Sequence, residues 1–125
     1  MPTLEEQHAN IKKWFEALES GKYMQGSHRL RKGNFFCCLG VAADLLPKTI
    51  TCPFYTLDGI CYDGSTKVLS SYIREQYALK DAAIFRLTVK NDHGASFKEI
   101  VNYMKTYWKL IFSIPEPDWL KIDTK

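Results

Sequence analysis

Long apolar stretches are missing from this chain. No run approaches the ~18–20 residues that a membrane-spanning helix needs, so no segment reads as a span. The opening Met1-Pro2-Thr3-Leu4-Glu5-Glu6 carries acids and lacks the apolar centre of a secretory signal, which points to the cytoplasm. Internal repeats, low-complexity tracts and a dividing linker are absent too, so residues 1–125 are expected to form one domain. The glycine-rich phosphate fingerprint, H-E-x-x-H and G-x-S-x-G do not occur, and those enzyme classes are not indicated. Cysteine is sparse, at positions 37, 38, 52 and 61. An adjacent pair followed by wide gaps does not match the two-to-four-residue spacing of structural zinc sites. We therefore expect free thiols in a reducing compartment, with no metal and no cofactor.

What is present suffices for a folded core. Hydrophobic residues make up 46% and aromatic residues 14%, with 25% charged, a soluble globular composition. The net charge of +3 is unevenly placed. From Lys22 to Asn34 the chain holds Lys22, Arg29, Arg31 and Lys32, with His28 and no acid; that window is +4 and leaves −1 for the rest. Such a local basic segment can serve as an anion site, whereas a diffuse excess of the same size says little.

The pattern predicts an α+β fold with about four helices, over 3–20, 35–46, 66–78 and 96–111. Thr3 with Glu6 and Ser96 with Glu99 form capping boxes at two of the helix starts. Leu4, Ile11, Trp14, Phe15 and Leu18 fall on one stripe of the first helix, and Gly21 is its left-handed stop. The second, from an Asn34 cap through Phe35 to Leu46 before Pro47, is apolar on nearly every face and should be surrounded by protein; a short buried strand is the competing reading. Residues 50–62 read as a β-hairpin turning at Asp58-Gly59, and residues 83–89 as a short strand. Ser65 or Thr66 is the expected cap of the third helix. From about residue 114, Pro115 and Pro117 predict an extended tail, pinned back by Trp119 and Leu120.

Three blocks carry a resemblance. Trp14-Phe15-Glu16-Ala17-Leu18-Glu19-Ser20-Gly21-Lys22-Tyr23-Met24-Gln25 reads W-x-x-A-L-x-S-G-x-Y-x-Q. Phe36-Cys37-Cys38-Leu39-Gly40-Val41 reads F-C-C-L-G-V, and Asn91-Asp92 followed by Ser96-Phe97-Lys98-Glu99-Ile100 reads N-D then S-F-x-x-I. Together these resemble a group of small proteins encoded by bacteriophages and prophages. The chain departs from that pattern at Ala42-Ala43-Asp44 and in its tail after residue 108. The resemblance implies a phage accessory gene in a host cytoplasm and implies no particular reaction.

Two constellations can carry chemistry. Cys37 or Cys38, in the first turn of a helix and beside a basic loop, can be drawn as a nucleophile with His28 or His93 as base and Asn91 or Asp92 orienting it. The plainer reading is a pair of small core residues, with Asn91-Asp92-His93-Gly94 as a turn before a helix. The basic loop is the stronger binding candidate: Arg29, Arg31 and Lys32 to clamp an anion, Tyr23 to stack and Gln25 to bond a base edge, next to exposed helix amides. The expected function is non-enzymatic: binding and sequestering or inhibiting a host component as a counter-defence protein, with a nucleotide-like anion or a host protein as partner. A cysteine-dependent enzyme and a nucleic-acid-binding regulator are the alternatives. No membrane partner is expected, and a homo-oligomer is compatible with the aromatic stripes.

Overall fold

The capping box at Thr3 starts the first helix where the sequence places it. Thr3 Oγ1 accepts the Glu6 N–H at 3.1 Å, and the Glu6 carboxylate accepts the Thr3 N–H at 2.9 Å. The helix α1 (Leu4–Glu19) buries Ile11, Trp14, Phe15 and Leu18 along one stripe, and Gly21 follows it at φ 79°. A left-handed residue there favours glycine, because a side chain would crowd its own carbonyl. The structure, a computed structural model, describes residues 2–46 and 69–123. The hairpin expected at 50–62, the Ser65 or Thr66 cap, Cys52 and Cys61 lie outside the described residues.

The next segment departs from expectation. Residues 22–37 form three two-residue strands, β1 (Met24–Gln25), β2 (Arg31–Lys32) and β3 (Phe35–Phe36), in the order β1-β3-β2. β1 runs parallel and β2 antiparallel to the central β3. Lys32 and Phe35 are paired across the two-residue turn Gly33-Asn34, with Gly33 at φ 62°, the position where such hairpin turns take glycine. The predicted helix over 35–46 therefore begins later, as α2 (Cys38–Asp44). Asn34 belongs to the turn, and Cys37 is the cap, its sulfur accepting the Gly40 N–H at 3.3 Å. The buried character expected of this helix holds: Cys38, Leu39, Gly40, Val41, Ala42 and Ala43 are all buried. Gly40 is required by contact, since a Cβ there would lie 1.7 Å from the Leu30 carbonyl oxygen.

The second half is helical: α3 (Ser71–Gln76, capped by Ser70), α4 (Asp81–Asp92), α5 (Phe97–Thr106), α6 (Trp108–Ile111) and α7 (Asp118–Asp123). The strand expected at 83–89 is thus the middle of α4. Its β-branched residues suggested a strand, but Ala83, Leu87 and Asn91, four apart, form one buried helical face. The helix expected over 96–111 starts at its Ser96–Glu99 box and breaks at Tyr107, which leaves the helical region at φ −109°, ψ 38°. Residues 115–117 are irregular, but the tail is not extended throughout, because α7 follows Pro117.

The architecture is α+β, with seven helices and one small sheet among the described residues. α2 packs between α1 and α4, and α1 also lies on α5. One end of the core is aromatic. Trp14, Phe15, Trp108 and Phe112 are buried together, and Trp119 of α7 meets Phe15 and Trp108 edge-on with centroids 6.0 and 6.1 Å away. Leu120 is fully buried and the Trp108 indole donates to the Ile114 carbonyl at 2.8 Å, so the tail is pinned as its two apolar residues predict. Among the described residues no helix is long and apolar enough to cross a membrane.

Candidate functional site

Apart from the aromatic cluster, one buried amide organises the loop, the sheet and two helices. Asn91, 3% exposed in the last turn of α4, is the buried polar residue of the described core. Its Oδ1 accepts the Cys38 N–H and the Gln25 Nε2–H, both at 3.1 Å, while its Nδ2 donates to the Gly26 carbonyl at 2.7 Å. Gln25 is saturated in turn: Nε2 also donates to the Ala95 carbonyl at 2.7 Å, and Oε1 accepts the Phe97 N–H at 3.0 Å. Next to this network Asp92 Oδ1 accepts the His28 N–H at 2.8 Å and Asp92 Oδ2 lies 3.3 Å from His28 Nδ1. These contacts hold His28 at φ 68°, a left-handed conformation that few side-chain-bearing residues adopt.

The start of α2 is closed by the same contacts. The Cys38 N–H is bonded to Asn91, the Gly40 N–H to the Cys37 sulfur and the Val41 N–H to the Cys37 carbonyl. The Cys37 N–H goes to the Leu30 carbonyl at 3.1 Å. The exposed helix amides expected beside the basic loop are therefore spent inside the fold.

The pleat of the hairpin divides the basic cluster. Cross-strand partners share a face of a sheet and neighbours along a strand do not. Arg31 pairs with Phe36, and its guanidinium sits 4.8 Å over that ring, donates from Nε to the Gly33 carbonyl at 2.8 Å and lies 3.9 Å from Asp44. Tyr23 joins this face: its ring meets Phe36 edge-on at 4.9 Å and its hydroxyl donates to Asp44 at 3.0 Å. Partial burial and the Asp44 carboxylate push the Tyr23 phenol up to about 12. Lys32 faces the other way with its partner Phe35, which is 48% exposed and flanked by the equally exposed Met24 across the parallel pairing.

One hollow opens on that other side and a second lies beside α4, and Arg29 lines both. The first, about 310 Å³, is bounded by Gly26, Ser27, Arg29, Lys32 and Phe35. Gly26 makes the room, because a Cβ on it would lie 2.8 Å from Phe35 Cβ. Two cations thus face an aromatic ring and a stretch of side-chain-poor backbone. The second, about 300 Å³, is bounded by His28, Arg29, Cys37, Leu39, Thr88 and Asp92. It gathers a cysteine, an imidazole and a carboxylate, the elements of the nucleophile drawn from sequence. Its chemistry runs against that use. Burial first, and the negative charge of Asp92 further, push the Cys37 thiol up to about 11, outweighing the amides that bond its sulfur. Cys38 is fully buried and raised further by the same cause, with its sulfur turned toward the Leu87 carbonyl. Both are protonated thiols at neutral pH, and a thiol is a poor nucleophile beside a thiolate.

Of the five binding residues expected from sequence, Arg29 and Lys32 line the first hollow, Arg29 also donating from Nη1 to the His28 carbonyl at 2.7 Å, while Tyr23, Gln25 and Arg31 are engaged in the internal contacts above. Phe35, Gly26 and Ser27 were not anticipated there. A signal existed in Gly33-Asn34 between Arg31-Lys32 and Phe35-Phe36, a hairpin dipeptide that brings Lys32 opposite Phe35. His93 caps the C-terminus of α4, and Gly94 follows at φ 97°, so the Asn91–Gly94 string is a helix end and turn in which Asn91 and Asp92 also bond across the fold. Among the described residues no cluster of three or more His, Cys, Asp or Glu is placed to hold a metal ion.

Residues 7–60 match a family described as a domain of unknown function (DUF8296). That span includes most of α1, the sheet and α2, and stops short of Thr88, Asn91 and Asp92. No curated protein and no solved structure matches the chain.

Proposed function

We propose that this is a non-enzymatic binding protein whose ligand is a nucleotide-like anion. The observation that carries the reading is the hollow lined by Arg29, Lys32, Gly26, Ser27 and the exposed ring of Phe35. Arginine and lysine supply charge-assisted bonds to a phosphate, and a half-exposed phenylalanine supplies a face for a planar base. Chemistry on the ligand has little support, because the cysteine of the neighbouring hollow is a thiol held protonated. Read with the resemblance to phage and prophage proteins, such binding amounts to sequestration of a host nucleotide by an accessory protein in the host cytoplasm. Trp119 is packed into the core, which weakens the tail as a docking site for a host protein.

Calorimetric titration with ADP tests the reading. Lys32→Ala and Phe35→Ala should each weaken ADP binding by about tenfold, the size of one charge-assisted bond or one stacked ring. Arg31→Ala should leave the affinity unchanged. Absence of ADP binding, or affinities in the Lys32 and Phe35 variants equal to that of the parent, overturns it.

A further inference from the structure

Arg29 lines both hollows, so a phosphate it holds would have one pocket on either side of it. We infer that the ligand is two-part: a planar base on Phe35, phosphate at Arg29 and Lys32, and a neutral hydroxylated group such as a second sugar in the hollow of Asp92, Thr88 and His28. This rests on the function proposed above and extends it. The two pockets differ in the chemistry they accept. The first offers cations and a ring. The second offers one cation shared with the first, and beyond it the carboxylate of Asp92, the hydroxyl of Thr88 and the apolar wall of Leu39 and Cys37.

A second phosphate placed there would meet Asp92, whose charge disfavours it. A hydroxyl would be welcomed. A carboxylate can accept about four hydrogen bonds. Asp92 spends them on the His28 N–H at 2.8 Å, a long contact with Asn91 Nδ2 at 3.4 Å and the His28 ring at 3.3 Å, which leaves it able to accept from a sugar. Asp92 is also held in place, because the His28 backbone and the last turn of α4 fix it, so its orientation need not be ordered on binding. Size agrees. Each hollow, at about 310 and 300 Å³, lies at the bottom of the ~300–1,000 Å³ range of small-molecule sites, and the pair together lies well within it.

ADP and ADP-ribose, which differ by one hydroxylated sugar, separate the two-part ligand from a single nucleotide. ADP-ribose should bind at least about tenfold more tightly, from one or two hydrogen bonds to fixed acceptors. Asp92→Asn keeps an oxygen for the His28 N–H, and Thr88→Val keeps the shape of the helix face. Either should shrink that advantage while leaving ADP affinity as it was, with thermal melting used to confirm that each variant is folded. Equal affinity for the two ligands in the parent protein, or an advantage undiminished in Asp92→Asn, overturns the inference while a Lys32-dependent ADP affinity leaves the proposed function standing. If neither ligand binds, both fall.

Discussion

At Cys38 two buried side chains, one from an aromatic cluster and one from a polar network, take hold of one residue. The Trp14 indole donates to its carbonyl at 2.9 Å, and the Asn91 amide accepts from its N–H at 3.1 Å. Trp14 belongs to the aromatic end, where Tyr77 and Phe112 surround it and one polar atom is satisfied by one bond. Asn91 belongs to the polar end, where it is worth burying because its contacts bind β1, the loop, α2 and α4 together. The aromatic end tolerates imprecision, since dispersion and apolar burial are non-directional. The polar end does not, because each lost partner leaves a buried donor or acceptor without the water it gave up. The candidate site is on the polar end, where positions are fixed by directional bonds.

The largest effect should come from Trp14→Ala, which removes a wholly buried indole and leaves the Cys38 carbonyl without its donor. A loss of about 3–5 kcal/mol in urea unfolding is expected. Asn91→Leu should cost about 2–4 kcal/mol by the same measurement, since the Cys38 N–H, Gln25 Nε2 and the Gly26 carbonyl all lose a partner. It should also abolish ADP binding, because Asn91 holds the Gly26 carbonyl beside the first hollow; Trp14→Ala in a background that remains folded should bind normally. A nearly neutral Asn91→Leu would dissolve the contrast between the ends.

Tyr23→Phe should be the mildest, about 0.5–1 kcal/mol at neutral pH, since the ring contact with Phe36 remains and the bond to Asp44 is partly solvated. Its pH dependence is more telling. The Tyr23 phenol is raised above its ordinary 10.0 to about 12, so the neutral form is favoured by folding. Its stabilisation is fully present below pH 10 and is lost as pH climbs from about 10 to about 12. The thiol of Cys37, raised from 9.0 to about 11, adds a loss of the same sign beginning near pH 9. Alkaline melting curves should therefore fall in both proteins, and less steeply above pH 10 in Tyr23→Phe. A parent protein whose melting temperature is flat from pH 8 to 12 would contradict both placements.

The elements that could be read from sequence are those set by local bonds. Thr3–Glu6 and Ser96–Glu99 satisfy helix-start amides with side chains three residues away, and both boxes are found in the structure. Gly21 stops α1 by its own backbone freedom, and the Ile11–Leu18 stripe needs nothing beyond helical spacing. Phe35–Phe36 and residues 83–89 went the other way, to strand and to helix, because a short apolar run has no period of its own and takes its conformation from what pairs with or packs against it. The basic cluster was legible as a composition. Its division, with Lys32 toward Phe35 and Arg31 toward Phe36 and Asp44, was not, since alternation acts only once the strand is known.

By itself, then, the amino-acid order settles the helix starts, the left-handed stop at Gly21 and a greasy centre at residues 38–43, each through interactions spanning a few residues. Tertiary contact decides the rest. Asn91 reaches across sixty-odd residues to Gln25 and Gly26 and takes the Cys38 N–H at the start of α2, while its neighbour Asp92 fixes His28, beside two hollows that share Arg29. Bonds of that length depend on where the packed helices bring two distant segments together, which no local pattern encodes.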